Sequence, residues 1–425
     1  MRSTRSGSTR TATVLAAGFL LSLVLAAAGT ATAAEQVTVD GVLHVRNGAK
    51  PSGGVRTLAL QEIWRAGGED DEESIFGLIT RVVADPAGNV YLLDTQLHQV
   101  HVFDSKGAFT RTLSREGEGP GEVRYPVDML FMPDGTLGLV QTFPGRIVCV
   151  DLQDNPAKTF VPGGDAPAEG GFLTLSDVQG RAGRLVLGGV ESTINQTEGF
   201  QIRDNFIRSY AADGKPLVTY AHKSRKYEFS KLSIDEETEY FPQFRKWVLG
   251  NDGRVYVASQ RNAYAIDVYA PDGKLERVIE RQYVNWTRTP DEHALVESIM
   301  TAQLRNIPFP VEHSVSKTEE TINSMMLGDD GNLWVLSSRG WHEQPAGILA
   351  TYDVFTPAGD FVEQVRVACP GDGSKDALME GGKGRFVVVK GFTDAMVTLQ
   401  TQGAAGGTEE GEEPAPMEII CYGVK

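Results

Sequence analysis

Short apolar runs broken by tight glycine turns recur along the chain. Ile79-Thr-Arg-Val-Val-Ala-Asp85 is followed by Pro-Ala-Gly88-Asn and then by Val90-Tyr-Leu-Leu-Asp94. The figure returns as Trp247-Val-Leu-Gly-Asn-Asp252-Gly253-Arg with Val255-Tyr-Val-Ala, and as Met325-Met-Leu-Gly-Asp-Asp330-Gly331-Asn with Leu333-Trp-Val-Leu. Weaker copies centre on Asp134-Gly135, Gly183 and Gly384. Runs of this length, rich in Val, Tyr and Trp and joined by a glycine turn, predict β-hairpins. A second strand–turn–strand follows in most copies: Val102-Phe-Asp104-Ser-Lys-Gly107, Tyr210-Ala-Ala-Asp213-Gly214, Tyr269-Ala-Pro-Asp272-Gly273 and Phe355-Thr-Pro-Ala-Gly359. One unit is therefore a four-stranded antiparallel meander, and six units fit between Ile79 and Lys425. The first turn glycines are 47, 48, 70, 78 and 53 residues apart. The short spacings are near the ~40–50 residues of one propeller blade.

The sixth unit is one strand short. Arg385-Phe-Val-Val-Val-Lys390 and Met417-Glu-Ile-Ile-Cys-Tyr-Gly-Val424 supply its middle strands, while Arg56-Thr-Leu-Ala-Leu-Gln-Glu-Ile-Trp64 stands alone ahead of the first unit. Pairing that lone strand into the last unit removes both open edges. The expected fold is all-β: a six-bladed β-propeller of four-stranded antiparallel blades, closed by the N-terminal strand, with one short helical insertion. An open sandwich of six hairpins is the alternative. Over about residues 55–425 the sequence resembles the six-bladed propellers related to the NHL-repeat family. The resemblance rests on Asp85-Pro-Ala-Gly-Asn-Val-Tyr-Leu-Leu-Asp94, Val102-Phe-Asp-Ser-Lys-Gly107 and Gly117-Glu-Gly-Pro-Gly-Glu122. The chain departs from the NHL pattern after its Asp-Thr step, where Leu97 and Gln99 stand in place of the usual Asn and Arg. Propellers of this kind include binding scaffolds, lyases and lactonases, so the resemblance speaks to fold and leaves the activity open.

The N-terminus changes the picture. Arg2, Arg5 and Arg10 precede an apolar run, Val14 to Ala28, and small residues ending Ala31-Thr32-Ala33-Ala34. This is the n-region, h-region and cleavage site of a secretory signal peptide, expected over residues 1–34. The apolar run is short of the roughly 20 residues that span a bilayer. A secreted or periplasmic protein follows, with residues 35–54 as an extension, 55–425 as the propeller, and no membrane span in the mature chain. The full chain of 425 residues has a net charge of −16, which argues against nucleic acid as a partner. A monomer is expected. Three cysteines exclude a disulfide scaffold. Cys149 falls on a strand of the second blade, while Cys369 and Cys421 could meet where the last two blades adjoin or remain buried, unpaired thiols. No G-x-S-x-G elbow is present.

In such meanders the long connections fall on one face. Segments 190–203, 338–347 and 391–416 read as loops between middle strands; 222–242 and 283–320 read as crossovers between blades. Long loops on a rigid scaffold are where binding and catalysis concentrate. Thr289-Pro290-Asp291-Glu292 is a capping-box start. With the stripe Leu295, Val296, Ile299, Met300 and Leu304 it predicts a helix over about 287–307, either a lid or a docking element. Residues 403–416, rich in Gly and Glu, read as a flexible acidic loop. The run Glu69-Asp-Asp-Glu-Glu73 reads as a solvated surface.

The ends of the second strands should ring the channel mouth. They supply Asp94 and His98, Gln141 and Arg146, Glu191, Arg261, Arg339 and His342, then Lys390 and Asp394. That mixed-charge set suits a protein, peptide or glycan partner, or is a solvated rim. The primary functional expectation is a binding module without a cofactor. The alternative is a metal-assisted lyase or lactone hydrolase holding Zn²⁺ or Ca²⁺, with His98 and His342 as candidate ligands because they alone share a blade position.

Overall fold

The computed structural model describes residues 34–69, 71, 74–163, 171–181, 183–342, 344–382, 384–401 and 416–425. The expected signal peptide and nearly all of the acidic loop at 403–416 lie outside the described residues. Among the described residues no helix is long and apolar enough to cross a membrane.

The fold is mostly β. The first repeat forms an antiparallel sheet of Ile79–Ala84, Val90–Asp94, Gln99–Phe103 and Phe109–Leu113. The second has three strands, Pro126–Phe131, Leu137–Gln141 and Arg146–Val150. Its expected fourth strand is reduced to isolated bridges at Pro156 and Phe160, because a proline cannot donate to a ladder. The third sheet is built from Gly171–Arg181, Arg184–Asn195, Phe200–Tyr210 and Pro216–Glu228. Its strands run on through most of segment 190–203 and into 222–228, so what was expected as loop is largely a long hairpin with its turn at 196–199.

The fourth sheet, Trp247–Leu249, Val255–Val257, Ala265–Tyr269 and Leu275–Arg281, is extended by the N-terminal hairpin. Val42–Asn47 pairs in parallel with its outer strand, and Glu35–Val39 pairs with Val42–Asn47. The fifth sheet is Ile322–Leu327, Leu333–Ser337, Ile348–Phe355 and Phe361–Ala368; the sixth is Ala377–Glu380, Arg385–Val389 and Glu418–Val424. The 13-residue strand Val55–Gly67 lies along the sixth sheet, antiparallel to Glu418–Val424, and its first residues also pair in parallel with Phe361–Ala368.

Alternation along the strands produces six apolar clusters, each between consecutive sheets. Tyr91 and Leu93 meet Met129 and Leu139 between the first two sheets. Val387 and Ile419 of the sixth sheet, with Trp64, meet Ile79, Leu92 and Phe103 of the first. At roughly 1.5–3 kcal/mol for each large apolar side chain removed from water, these layers are the main source of cohesion.

Among the described residues there are three α-helices where one was expected: α1 (Glu236–Glu239), α2 (Pro290–Leu304) and α3 (Phe392–Thr401). Helix α2 has the predicted capping box. The Thr289 side chain accepts from Glu292 N, and Glu292 Oε2 accepts from Thr289 N at 2.7 Å. Its apolar stripe is not buried; none of its residues is, and it packs on α3. Helix α3 occupies a stretch expected as loop. The strands Ser233–Asp235 and Glu312–Ser314 pair in parallel and tie the two crossover insertions together. The three cysteines are buried free thiols. Burial pushes each of them up to about 11.

Candidate functional site

The first strands of the sheets, with the segment leading into the fourth, enclose a cavity of about 720 Å³. Five carboxylate or guanidinium side chains line it: Arg81, Asp128, Asp177 and Arg245, from or just ahead of the first four sheets, and Asp376, which pairs with Lys390. Arg81 Nε lies 2.9 Å from Asp128 Oδ1. The other Asp128 oxygen accepts from Val178 N at 2.9 Å, so this carboxylate is fully matched.

Asp177 accepts from Ser176 Oγ at 2.9 Å and from Trp247 Nε1 at 2.6 Å. Burial, reinforced by the nearby Asp128 charge, pushes its carboxyl up to about 7. The neighbouring strand makes room for it: a Cβ on Gly188 would stand 2.0 Å from Asp177 Oδ1, which only glycine avoids.

Arg245 donates from Nη2 to Thr80 O at 3.2 Å, and among the described residues it has no carboxylate partner. Burial and the neighbouring Arg81 charge pull its guanidinium down to about 10, so it stays cationic at neutral pH.

The mouth of the cavity is apolar. Tyr125 and Phe244 line it with 64 % and 59 % of their surfaces exposed, and Phe392, Met396 and Leu399 of α3 roof it. Its backbone is strained. Seven described residues other than glycine have positive φ, and four of them line this cavity: His98 (55°), Tyr125 (48°), Phe244 (52°) and Arg245 (67°). Large side chains held in the left-handed region cost of order 1–3 kcal/mol each, and such residues concentrate at functional sites.

Of the ten residues expected to ring the mouth, His98 alone lines the cavity. The others lie outside it, and most make hydrogen bonds or ion pairs within the chain. Asp94 is fully buried and accepts backbone N–H bonds from Gly77, Leu78, Gln96 and Leu97. Burial works against its charge, but those bonds and His101 hold it below the usual carboxylate range. Gln141 accepts from Arg124 N at 3.1 Å and from Arg146 at 3.3 Å. Glu191 lies within a strand, not at its end, and pairs with Arg208 at 2.8 Å. Lys390 pairs with Asp376. Asp394 sits in the first turn of α3, where a carboxylate favours the helix. Arg339 donates to Val284 O at 2.6 Å and lines a separate hollow. Asp94 and Gln141 are turned inward because the strand-end loops leave backbone N–H groups that need acceptors.

Arg261 is 5 % exposed and forms part of a buried network instead of the rim. Glu236, in α1, accepts from Arg261 at 2.7 Å, from both terminal nitrogens of Arg288 at 2.7 and 2.8 Å, and from Ser316 N at 2.8 Å. Burial raises the Glu236 carboxyl; these donors, Arg288 foremost, bring it below its ordinary value.

His342 lies between two indoles, with ring centroids 4.1 Å from Trp286 and 3.7 Å from Trp341. Its Nδ1 faces Glu292 at 3.5 Å and its Nε2 faces Glu319 at 3.1 Å. His98 instead stands 3.7 Å from Glu116 and meets Tyr125 edge-on. The two imidazoles share no partner. Glu292, Glu319 and His342 each offer one ligand atom, and those atoms lie within 4.8 Å of one another. Three protein ligands are the donor count of an open, catalytic-type zinc site, but His98, the other expected ligand, is not among them. The arrangement fits a clamp that holds the start of α2, through Glu292, against the fifth sheet.

The residues of the cavity were missed because they lie in the first strands. A signal was present: Arg81 and Asp128 each stand seven residues before their turn glycines, Gly88 and Gly135, inside otherwise apolar runs. Helix α3 also had one, since Phe392, Met396 and Leu399 are spaced as one helical face.

A family described as a 6-bladed beta-propeller matches residues 69–155. No curated protein matches the chain significantly. Among solved structures, a Bacteroides fragilis protein described as exported is similar at 9 % identity, with 87 % of this chain and 99 % of that one covered and a TM-score of 0.48. Regucalcin of Agrobacterium tumefaciens, a calcium-binding protein, is similar at 13 % identity over 87 % of this chain and 97 % of its own, with a TM-score of 0.38. Virginiamycin B lyase of Staphylococcus aureus is similar at 14 % identity over 77 % and 80 %, with a TM-score of 0.36. Similarities this distant carry nothing about what this chain binds or does. The sheets and the family match together describe a β-propeller.

Proposed function

We propose that this chain is an exported six-bladed propeller of the NHL-related kind, closed by Val55–Gly67, which acts as a binding module. The ligand enters through the face that carries α2 and α3 and sits in the central cavity. A peptide, protein or glycan that presents such a ligand would rest on the surrounding loops. The supporting observation is the convergence of four left-handed residues on one cavity, with two aromatic rings held half-exposed at its mouth. Tolerated drift in surface loops gives no reason for strain to gather there. The volume of about 720 Å³ also falls within the ~300–1,000 Å³ typical of small-molecule sites.

The test is a titration of the purified protein with Nile red, a neutral apolar dye. One saturable site is expected, lost in the Tyr125→Ala/Phe244→Ala variant while cooperative unfolding is retained. Undiminished binding in a folded variant would place the dye, and the proposed site, elsewhere.

A further inference from the structure

Building on the central cavity as the binding site, we infer that its ligand is a monocarboxylate on an apolar body, with the carboxylate held by Arg245.

The argument is one of charge matching. Arg81 is matched by Asp128, and Lys390 by Asp376. Asp177 has both oxygens engaged by Ser176 and Trp247. Its raised pKa leaves little negative charge there below neutral pH. Near Arg81, Glu380 is likewise pushed up by burial, with Arg181 and Arg81 acting against the shift and Asp329 adding to it. Among the described groups lining the cavity, Arg245 alone is a guanidinium in no ion pair; the nearby Asp128 charge favours it through space but is already bonded to Arg81.

A guanidinium carries five N–H donors in a planar fork, and Thr80 O occupies one nitrogen. Its remaining donors suit a bidentate carboxylate. A single unmatched charge calls for a monoanion; a dianionic phosphate would bring in a charge with no partner. Two consecutive left-handed residues, Phe244 and Arg245, set the ring at the mouth and the guanidinium in the channel. Anion and apolar recognition therefore come from one short segment. The rest of the body meets Tyr125, Leu349, Phe392, Met396 and Leu399, none of which offers a charge.

Competition against Nile red tests this with decanoate, decanol and decyl phosphate. Decanoate should displace the dye at concentrations about ten- to a hundredfold lower than decanol, as a charge-assisted bond lost or gained implies. In Arg245→Met that advantage should vanish while decanol is unchanged; Arg245→Lys should keep part of it. The wild-type comparison stands even if a variant fails to fold. Equal displacement by decanoate and decanol, preference for decyl phosphate, or an advantage that survives in Arg245→Met would each overturn the carboxylate assignment while leaving the cavity a binding site. Absence of dye binding in wild-type protein would instead remove the proposed function on which the assignment rests. A short apolar peptide with a free C-terminus, compared with its amide, separates the two sources. Strong preference for the free peptide over decanoate supports a chain terminus, and the reverse supports a free acid.

Discussion

The crossover insertions and the central cavity are both crowded with charge, yet they treat it differently. At α1 and α2 the buried guanidiniums share an acid, Glu236 holding Arg261 and Arg288 together, and the His342 ring has a glutamate at each nitrogen. In the cavity Arg81 is matched and Arg245 is not. Matched charge fixes loops onto a scaffold. A partly buried cation in no ion pair is poorly solvated until something supplies an anion. The comparison teaches that charge density alone does not mark a binding site; the remainder after pairing does.

The comparison is broken most severely at Glu236. Replacing it with Ala leaves two nearly buried guanidiniums facing each other, and stability should fall by about 3–5 kcal/mol, read from urea unfolding. A loss below ~1 kcal/mol would put this network on a par with exposed pairs.

Asp177 offers a pH-resolved test. A carboxyl raised in the folded state contributes no penalty below its unfolded pKa near 4, and stability is lost as pH rises through the folded value of about 7. Between those limits the wild-type protein should lose at most about 4 kcal/mol relative to Asp177→Asn. Parallel stability-against-pH curves would mean that Asp177 ionises as freely as in the unfolded chain.

His342→Ala removes two ring stacks and both acid contacts. It should loosen the clamp by about 1–3 kcal/mol, seen as faster amide exchange confined to α2. Exchange raised across all sheets would show that His342 supports the whole fold.

The smallest expected effect is at Arg245. Its replacement by Met breaks no ion pair and should change stability by less than ~1 kcal/mol. A loss as large as that for Glu236→Ala would make Arg245 part of the scaffold and erase the contrast.

Much of the architecture was legible. The turn glycines at 88, 135, 253 and 331 marked hairpins that are present, and the capping box of Thr289 and Glu292 marked α2. Legibility failed where the partner is remote in sequence. Asp94 reads as a rim acid, but the left-handed turn through His98 brings Gln96 and Leu97 N–H onto it, and Gly77 and Leu78 approach from the segment just ahead of the first strand. Arg261 reads the same way until α1 delivers Glu236 beneath it.

The sequence by itself determined where most of the tight hairpin turns fall, because alternation and glycine turns act over a few residues; the length of the strands, as in the hairpin that runs through 190–203, was decided by tertiary pairing. It also determined where α2 starts, because a capping box is closed within one turn. Only the tertiary structure decided which polar side chains remain free. That outcome depends on the partners brought within about 3 Å by other sheets and insertions. Arg245 and Arg261, equally charged on the page, end as an unmatched cation in a channel and as one arm of a buried clamp.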